Sequence, residues 1–156
     1  MIQRKQTLYL IVVVAAYVLS LFLPVGGFEP QGMGVEVLLH NMGVVRENGA
    51  TDFLSVCIPL FLLLAVPAVL SLVTIFLYRN RPLQMTLCSV SLLFTVLWYV
   101  DYALLAFGIV ALDNVEGTFR VHYAAVFPLV SIVFLVLARK GVSDDEKLIK
   151  AADRIR

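Results

Sequence analysis

The stretch that most constrains this chain runs from Phe53 to Leu112. It opens with FLSVCIPLFLLLAVPAVLSLVTIFLY, 26 residues without a charge. Arg79-Asn80-Arg81-Pro82 interrupts it, and LQMTLCSVSLLFTVLWYV, Asp101 and YALLAFGIVAL follow. Each arm exceeds the roughly 20 residues that cross about 30 Å of hydrocarbon as a helix. Four polar residues between the arms leave room only for antiparallel neighbours. The stretch therefore reads as a transmembrane helical hairpin.

The rest of the chain fits around that hairpin. Hydrophobic residues make up 61% of it and charged residues 15%, against about 25% charged in a soluble domain. Four apolar segments of spanning length lie at about 7–24, 52–78, 83–107 and 121–138. They leave outer loops at 25–51 and 108–120 and a tail at 139–156, with no length for a separate soluble domain. The expected fold is one all-α membrane domain: an up-down four-helix transmembrane bundle with a small extracytoplasmic β-hairpin cap and a short cytoplasmic C-terminal helix.

Arg4 and Lys5 precede the first apolar run, as in a signal peptide, and Val25 and Gly27 suit a cleavage site. The run is longer than the usual h-region of about 7–15 residues. Ala16 and Ser20, spaced i, i+4, suit close helix packing, so it is read as a retained helix. Pro59 and Pro67 are expected to kink the second helix, which neighbours in a membrane bundle tolerate. Pro82 suits a helix first turn, and Gly108 a stop. On the third helix Gln84, Cys88, Ser91, Thr95, Tyr99 and Tyr102 fall within roughly 40° of one line at about 100° per residue. That polar face is assigned to the bundle interior, where hydroxyls bond across helices. The fourth segment contains Pro128 and is expected to stop at Arg139-Lys140-Gly141. A separate tail helix should then begin at Ser143, with Glu146 at capping-box spacing and an apolar stripe of Leu148, Ala152 and Ile155.

Six of the nine glycines lie between Pro24 and Thr51. There GVEVLLHNMGVV has the alternation of a β-hairpin turning at His40-Asn41-Met42-Gly43. A second hairpin is expected in IVALDNVEGTFRVHY, and packed together the two would make a small sheet. Cys57 and Cys88 fall at opposite depths of the central hairpin, too far apart for a disulfide, which needs Cα atoms within about 7 Å.

Lysine and arginine divide unevenly. Ten of the 12 lie on one side: Arg4, Lys5, Arg79, Arg81, Arg139, Lys140, Lys147, Lys150, Arg154 and Arg156. Only Arg46 and Arg120 lie on the other. The positive-inside rule then puts both termini in the cytoplasm. Trp98, Tyr99 and Tyr102 would form an aromatic belt at the outer interface.

Asp101 is the only acidic residue in an expected span, which by default marks a proton or cation path. It lies about 27 Å from Leu83 along the helix, however, and about 120° off the polar face. An interfacial aspartate paired with Arg120 or Arg46 is the expectation; a buried functional carboxylate is the alternative. His40, His122, Glu36 and Asp113 share the outer side without the converging three or four ligands of a metal site, so no metal or cofactor is expected. No G-x-S-x-G, phosphate-binding glycine loop or nucleic-acid module is present, and no enzyme is expected.

MIQRKQTLYL at the start, IFLYRNRPLQMTLC at the turn and DDEKLIKAADRIR at the end resemble the domain-of-unknown-function family numbered 4293, small bacterial four-span membrane proteins. The resemblance runs end to end, but its specific words lie at the N-terminus, the turn and the tail. Members often carry another basic residue where this chain has Pro82, and one near Lys150; the first departs here and the second is kept. The resemblance implies a retained first helix and a bacterial inner-membrane location, and carries over no activity or site residue.

The functional expectation is a non-enzymatic scaffold or accessory subunit. Its cytoplasmic face (Arg4, Lys5, Arg79, Arg81, Leu148, Ala152 and Ile155) would dock a protein partner or anionic lipid. The alternative is a small transporter or ion-conducting oligomer using Ser91, Thr95, Tyr99 and Asp101.

Overall fold

The computed structural model describes residues 3–30, 34–45, 51–52, 55–77, 80–109 and 117–153. Most of them are helical. The helices are α1 (Gln3–Phe22), α2 (Ile58–Phe76), α3 (Arg81–Ala106) and α4 (Phe127–Asp153). Five short strands complete the described chain: β1 (Gly26–Glu29), β2 (Val37–His40), β3 (Gly43–Val45), β4 (Thr51–Asp52) and β5 (Thr118–Val121). Short 3-10 turns lead into α2 and α4.

Three helical stretches, Ile58–Phe76, Arg81–Ala106 and Tyr123–Asp144, are long and apolar enough to cross a membrane. The apolar part of α1, Gln6–Phe22, is shorter. α1 packs against α2 and α4, and α3 against the same two helices. Polarity is inverted relative to a soluble protein. Ser71, Thr74, Gln84, Ser91, Thr95 and Ser131 are buried, whereas Val69, Phe76, Leu93, Val100 and Val133 are exposed. Water would penalise that arrangement; lipid, as apolar as leucine, accepts it. Both observations are those of a membrane protein.

The helix ends follow from local chemistry. Pro82 sits in the first turn of α3, where its missing N–H is not needed. Pro59 falls in the first turn of α2, so it is not the mid-helix kink expected of it, and Pro67 lies inside α2; Pro128 falls in the first turn of α4. α3 ends at Gly108, whose φ of 69° is the left-handed conformation glycine adopts without strain. The Gly108 N–H then reaches Leu105 O at 3.1 Å and the Ile109 N–H reaches Leu104 O at 3.0 Å. Those two bonds are a Schellman cap, which satisfies otherwise orphaned carbonyls.

The expected break after Ala138 is absent. α4 continues through Arg139, Lys140, Gly141 and Ser143 to Asp153, so Ser143 is a helix-interior residue and no separate tail helix forms. Packing explains the continuity. Ala138 and Val142 are buried, and a Cβ on Gly141 would lie 3.2 Å from Gln6 Cγ. Glycine at mid-helix costs about 1 kcal/mol relative to alanine, and the close approach of α1 offsets it.

The strands form one antiparallel sheet in the order β4-β3-β2-β1-β5. The expected first hairpin is β2 and β3, with His40 opposite Gly43 across an Asn41-Met42 turn. Of the second hairpin only β5 lies within the described residues; 110–116 fall outside them. β1 was not expected. It joins the two halves, pairing Phe28 with both Val37 and Phe119. Phe28, Leu39 and Phe119 belong to the face turned to the helices: Phe119 meets Phe28 at 5.2 Å and Tyr102 at 5.7 Å between ring centroids. Alternation then turns Gly27, Glu29, Glu36 and Arg120 to the opposite face.

Candidate functional site

The buried line of α3 is Gln84, Cys88, Ser91, Thr95, Trp98, Tyr102 and Leu105. The polar face expected from the sequence is thus inside, with Trp98 on its axis and Tyr99 at its edge. Its hydroxyls tie the structure together. Thr95 Oγ1 donates to Ser91 O at 2.7 Å, so at the 2.6 Å contact with Tyr17 the phenol must be the donor. Tyr99 Oη donates to Ala125 O at 2.7 Å, joining α3 to the start of α4. Gln84 Nε2 reaches Thr74 O at 3.4 Å and closes the α2–α3 turn.

The sheet end of α3 carries a latch. Trp98, fully buried, donates from Nε1 to Asn41 Oδ1 at 2.9 Å. Asn41 Nδ2 donates to Ser20 O at 2.6 Å, and Asn41 is itself fully buried. The β2–β3 turn is therefore inserted between the ends of α1 and α3. Tyr102 stacks on Trp98 at 5.1 Å with 10° between planes, and donates to Val25 O at 2.8 Å. Ser20 Oγ adds a longer bond to Ala124 O, 3.4 Å. The expected aromatic belt is corrected here: Trp98 and Tyr102 do not face a lipid interface but hold the sheet to the helices. Both stand on the stripe defined by Ser91 and Thr95, and that register was the available signal. Asn41 gave none beyond turn chemistry.

On the sheet's outward face an ion pair joins β5 to β1, and a histidine–carboxylate contact reaches across β1. Arg120 Nε lies 3.0 Å from Glu29 Oε2. His122 Nε2 lies 3.7 Å from Glu36 Oε1. A side chain at Gly27 would collide with the Glu36 carboxylate, so glycine there leaves Glu36 its path across the strand. His40, beside Asn41 in the same turn, is held below the ordinary histidine pKa. Burial is the main cause; a hydrogen bond to the Leu38 backbone opposes it, and the nearby His122 adds to it. Asp113 lies outside the described residues. Among those described, no group of three histidine, cysteine or acidic residues is placed to hold a metal.

Asp101 is half-buried, apart from the Ser91–Thr95 line, and near enough to Cys57 for their charges to interact. Its Oδ2 is buried with no hydrogen-bond partner, as are Ser71 Oγ and Ser91 Oγ. The expected pairing with Arg120 is not made, because Arg120 bonds Glu29; Arg46 lies outside the described residues. Cys57 and Cys88 are buried free thiols.

Of the expected docking residues, Arg4, Lys5, Arg81, Leu148 and Ala152 lie in described helices at the end opposite the sheet. Arg4 and Lys5 lie in the first turn of α1, and Arg81 opens α3. Leu148 and Ala152 lie in the last turns of α4. Gln6 packs on Gly141, and Arg139 comes near Cys88, which brings this end of α1, α3 and α4 together. Arg79 and Ile155 lie outside the described residues.

A family model described as Domain of unknown function (DUF4293) matches residues 2–155. No curated protein matches the chain.

Proposed function

We propose that this chain, which belongs to the DUF4293 family, is a bacterial inner-membrane scaffold or accessory subunit without enzymatic activity. In this reading four helices span the membrane as an up-down bundle, with both termini in the cytoplasm and the sheet outside. The charge division supports the orientation: ten of 12 lysines and arginines fall at the termini end.

The observation that carries the docking role is the unbroken α4. At about 1.5 Å per residue its 27 residues extend about 40 Å, beyond the roughly 30 Å hydrocarbon core. The excess is a stalk carrying Lys147, Leu148, Lys150 and Ala152 beyond Gly141, where α4 meets Gln6 near the start of α1. A helix continuous with a span presents its surface at fixed height and angle, which suits a protein partner or anionic headgroups. The use of α3 hydroxyls as ties between elements favours a static body over a conduit. The test is a pull-down from native membranes in mild detergent, comparing the full chain with one truncated after Gly141. Loss of a partner on truncation is expected, and identical partner lists count against the reading.

One observation favours a second reading, a small transporter or ion-conducting oligomer. Asp101 Oδ2 is buried without a partner, as an intramembrane carboxylate awaiting a cation or proton would be. Asp101→Asn should then abolish flux in proteoliposomes; unchanged flux, or none in the parent protein, rejects it.

A further inference from the structure

We propose that the Asn41 turn is a proton-sensitive plug: acidification on the sheet side withdraws it from between α1 and α3. Two observations on the same few residues carry this. First, two side-chain bonds of Asn41 tie the turn to the helices, one donated to Ser20 O and one accepted from Trp98 Nε1. Second, the residue preceding Asn41 is His40, a titratable side chain with His122 near it. His40 Nδ1, His122 Nδ1 and Glu36 Oε1 are all buried without a hydrogen-bond partner. Glu36 reaches His122 across Gly27.

A proton on His40 would put a cation in a partly buried place, where its Nδ1 has no acceptor and His122 lies near it. Among the described residues, the other charged or titratable groups around the turn do not relieve this. Glu29 on β1 is engaged by Arg120 on β5, and Asp52 on β4 has a partner of its own. Tyr99 and Tyr102 on α3 are committed to Ala125 O and Val25 O, and Asp101 lies toward Cys57. Charging His40 is relieved by carrying the turn into water, and Asn41 moves with it.

The sign follows from burial. His40 in the seated turn has a pKa below the ordinary value of about 6.5. The withdrawn turn, with His40 in water, therefore binds more protons. Seating is favoured in full above about pH 6.5 and is lost as pH falls through the depressed value. Withdrawal would open the Trp98–Thr95–Tyr17 line to water at the sheet end.

Trp98 is the only tryptophan in the chain, so its emission maximum reports the plug directly. The full chain in detergent is titrated between about pH 8 and about pH 5, a range in which histidine changes charge; the result does not depend on which compartment the sheet faces. The expected outcome is a red shift on acidification with a midpoint below about 6.5, reversed on return to neutral pH. Asn41→Ala should be red-shifted already at neutral pH. His40→Gln should keep the parent spectrum when neutral and lose the acid response. An emission maximum that stays constant in the parent overturns the proposal. So does an undiminished acid response in His40→Gln whose circular dichroism matches the parent. Should that variant not fold, an undiminished acid response in His40→Asn overturns the proposal instead.

Discussion

Asn41→Ala is the substitution that most sharply separates a latched sheet from a loosely resting one. The asparagine side chain supplies two bonds between the β2–β3 turn and the helices, at 2.6 Å to Ser20 O and 2.9 Å from Trp98 Nε1. Truncation leaves a fully buried indole N–H and a backbone carbonyl without these partners. A buried donor stripped of its partner costs about 1–3 kcal/mol, and Ser20 O, whose i+4 neighbour Pro24 has no N–H to offer, loses the Asn41 donor as well. The sum is about 2–4 kcal/mol. For a chain of this size 1 kcal/mol corresponds to roughly 2–4 °C in Tm, so the midpoint should fall by about 5–15 °C. The two buried thiols provide the assay. Cys57 lies at the sheet end, just before α2, and Cys88 lies toward the α2–α3 turn. Heating with a thiol-reactive fluorogenic dye, in Cys57→Ser and Cys88→Ser backgrounds, reads the two ends separately. Asn41→Ala should expose Cys57 first and leave Cys88 protected to a higher temperature. A shift under about 2 °C, less than 1 kcal/mol on the same scale, or simultaneous exposure of both thiols, would refute the latch.

Three further outcomes follow from single contacts, each read with the same dye. Gly27→Ala puts a methyl group into the Glu36 carboxylate and should cost about 1–3 kcal/mol; Glu36→Ala in the same chain should recover most of it, and additive losses would contradict the crossing geometry. Gly141→Val should destabilise by about 1–3 kcal/mol by forcing α1 from α4 at Gln6, whereas a break in the helix at Gly141 would make it nearly neutral. Tyr17→Phe removes the phenol that donates to Thr95 and should lower stability by about 0.5–1.5 kcal/mol; no loss would mean that water or another acceptor already serves the phenol.

Legibility of the fold tracks the physical source of each element. The central helices are plain in the sequence because uncharged length alone decides them, and Gly108 marks its stop because only glycine takes that conformation cheaply. The β2–β3 turn shows in alternation flanking His40-Asn41-Met42-Gly43. β1 does not, since Gly26-Gly27 looks like loop. The glycines are there for long-range reasons: the Phe119 ring lies over Gly26 and the Glu36 carboxylate over Gly27. The continuity of α4 is hidden in the same way. Lys140-Gly141 reads locally as a stop, and only the approach of Gln6 explains a glycine inside a helix. At the candidate sites, the interior face of α3 is legible from its period. The use of Trp98 and Asn41 as a latch is not, because it joins residues 57 apart in the chain.

The central claim is that the sheet and the termini end of the helices lie on opposite sides of a membrane, with the α4 stalk in the cytoplasm. Single cysteines placed in a cysteine-free chain, labelled in intact cells with a maleimide that cannot cross lipid, test it most directly. Val35→Cys and Met42→Cys, both at exposed positions of the sheet end, should label from outside, and Lys147→Cys only after the cells are opened. Labelling of Lys147→Cys in intact cells would contradict the account.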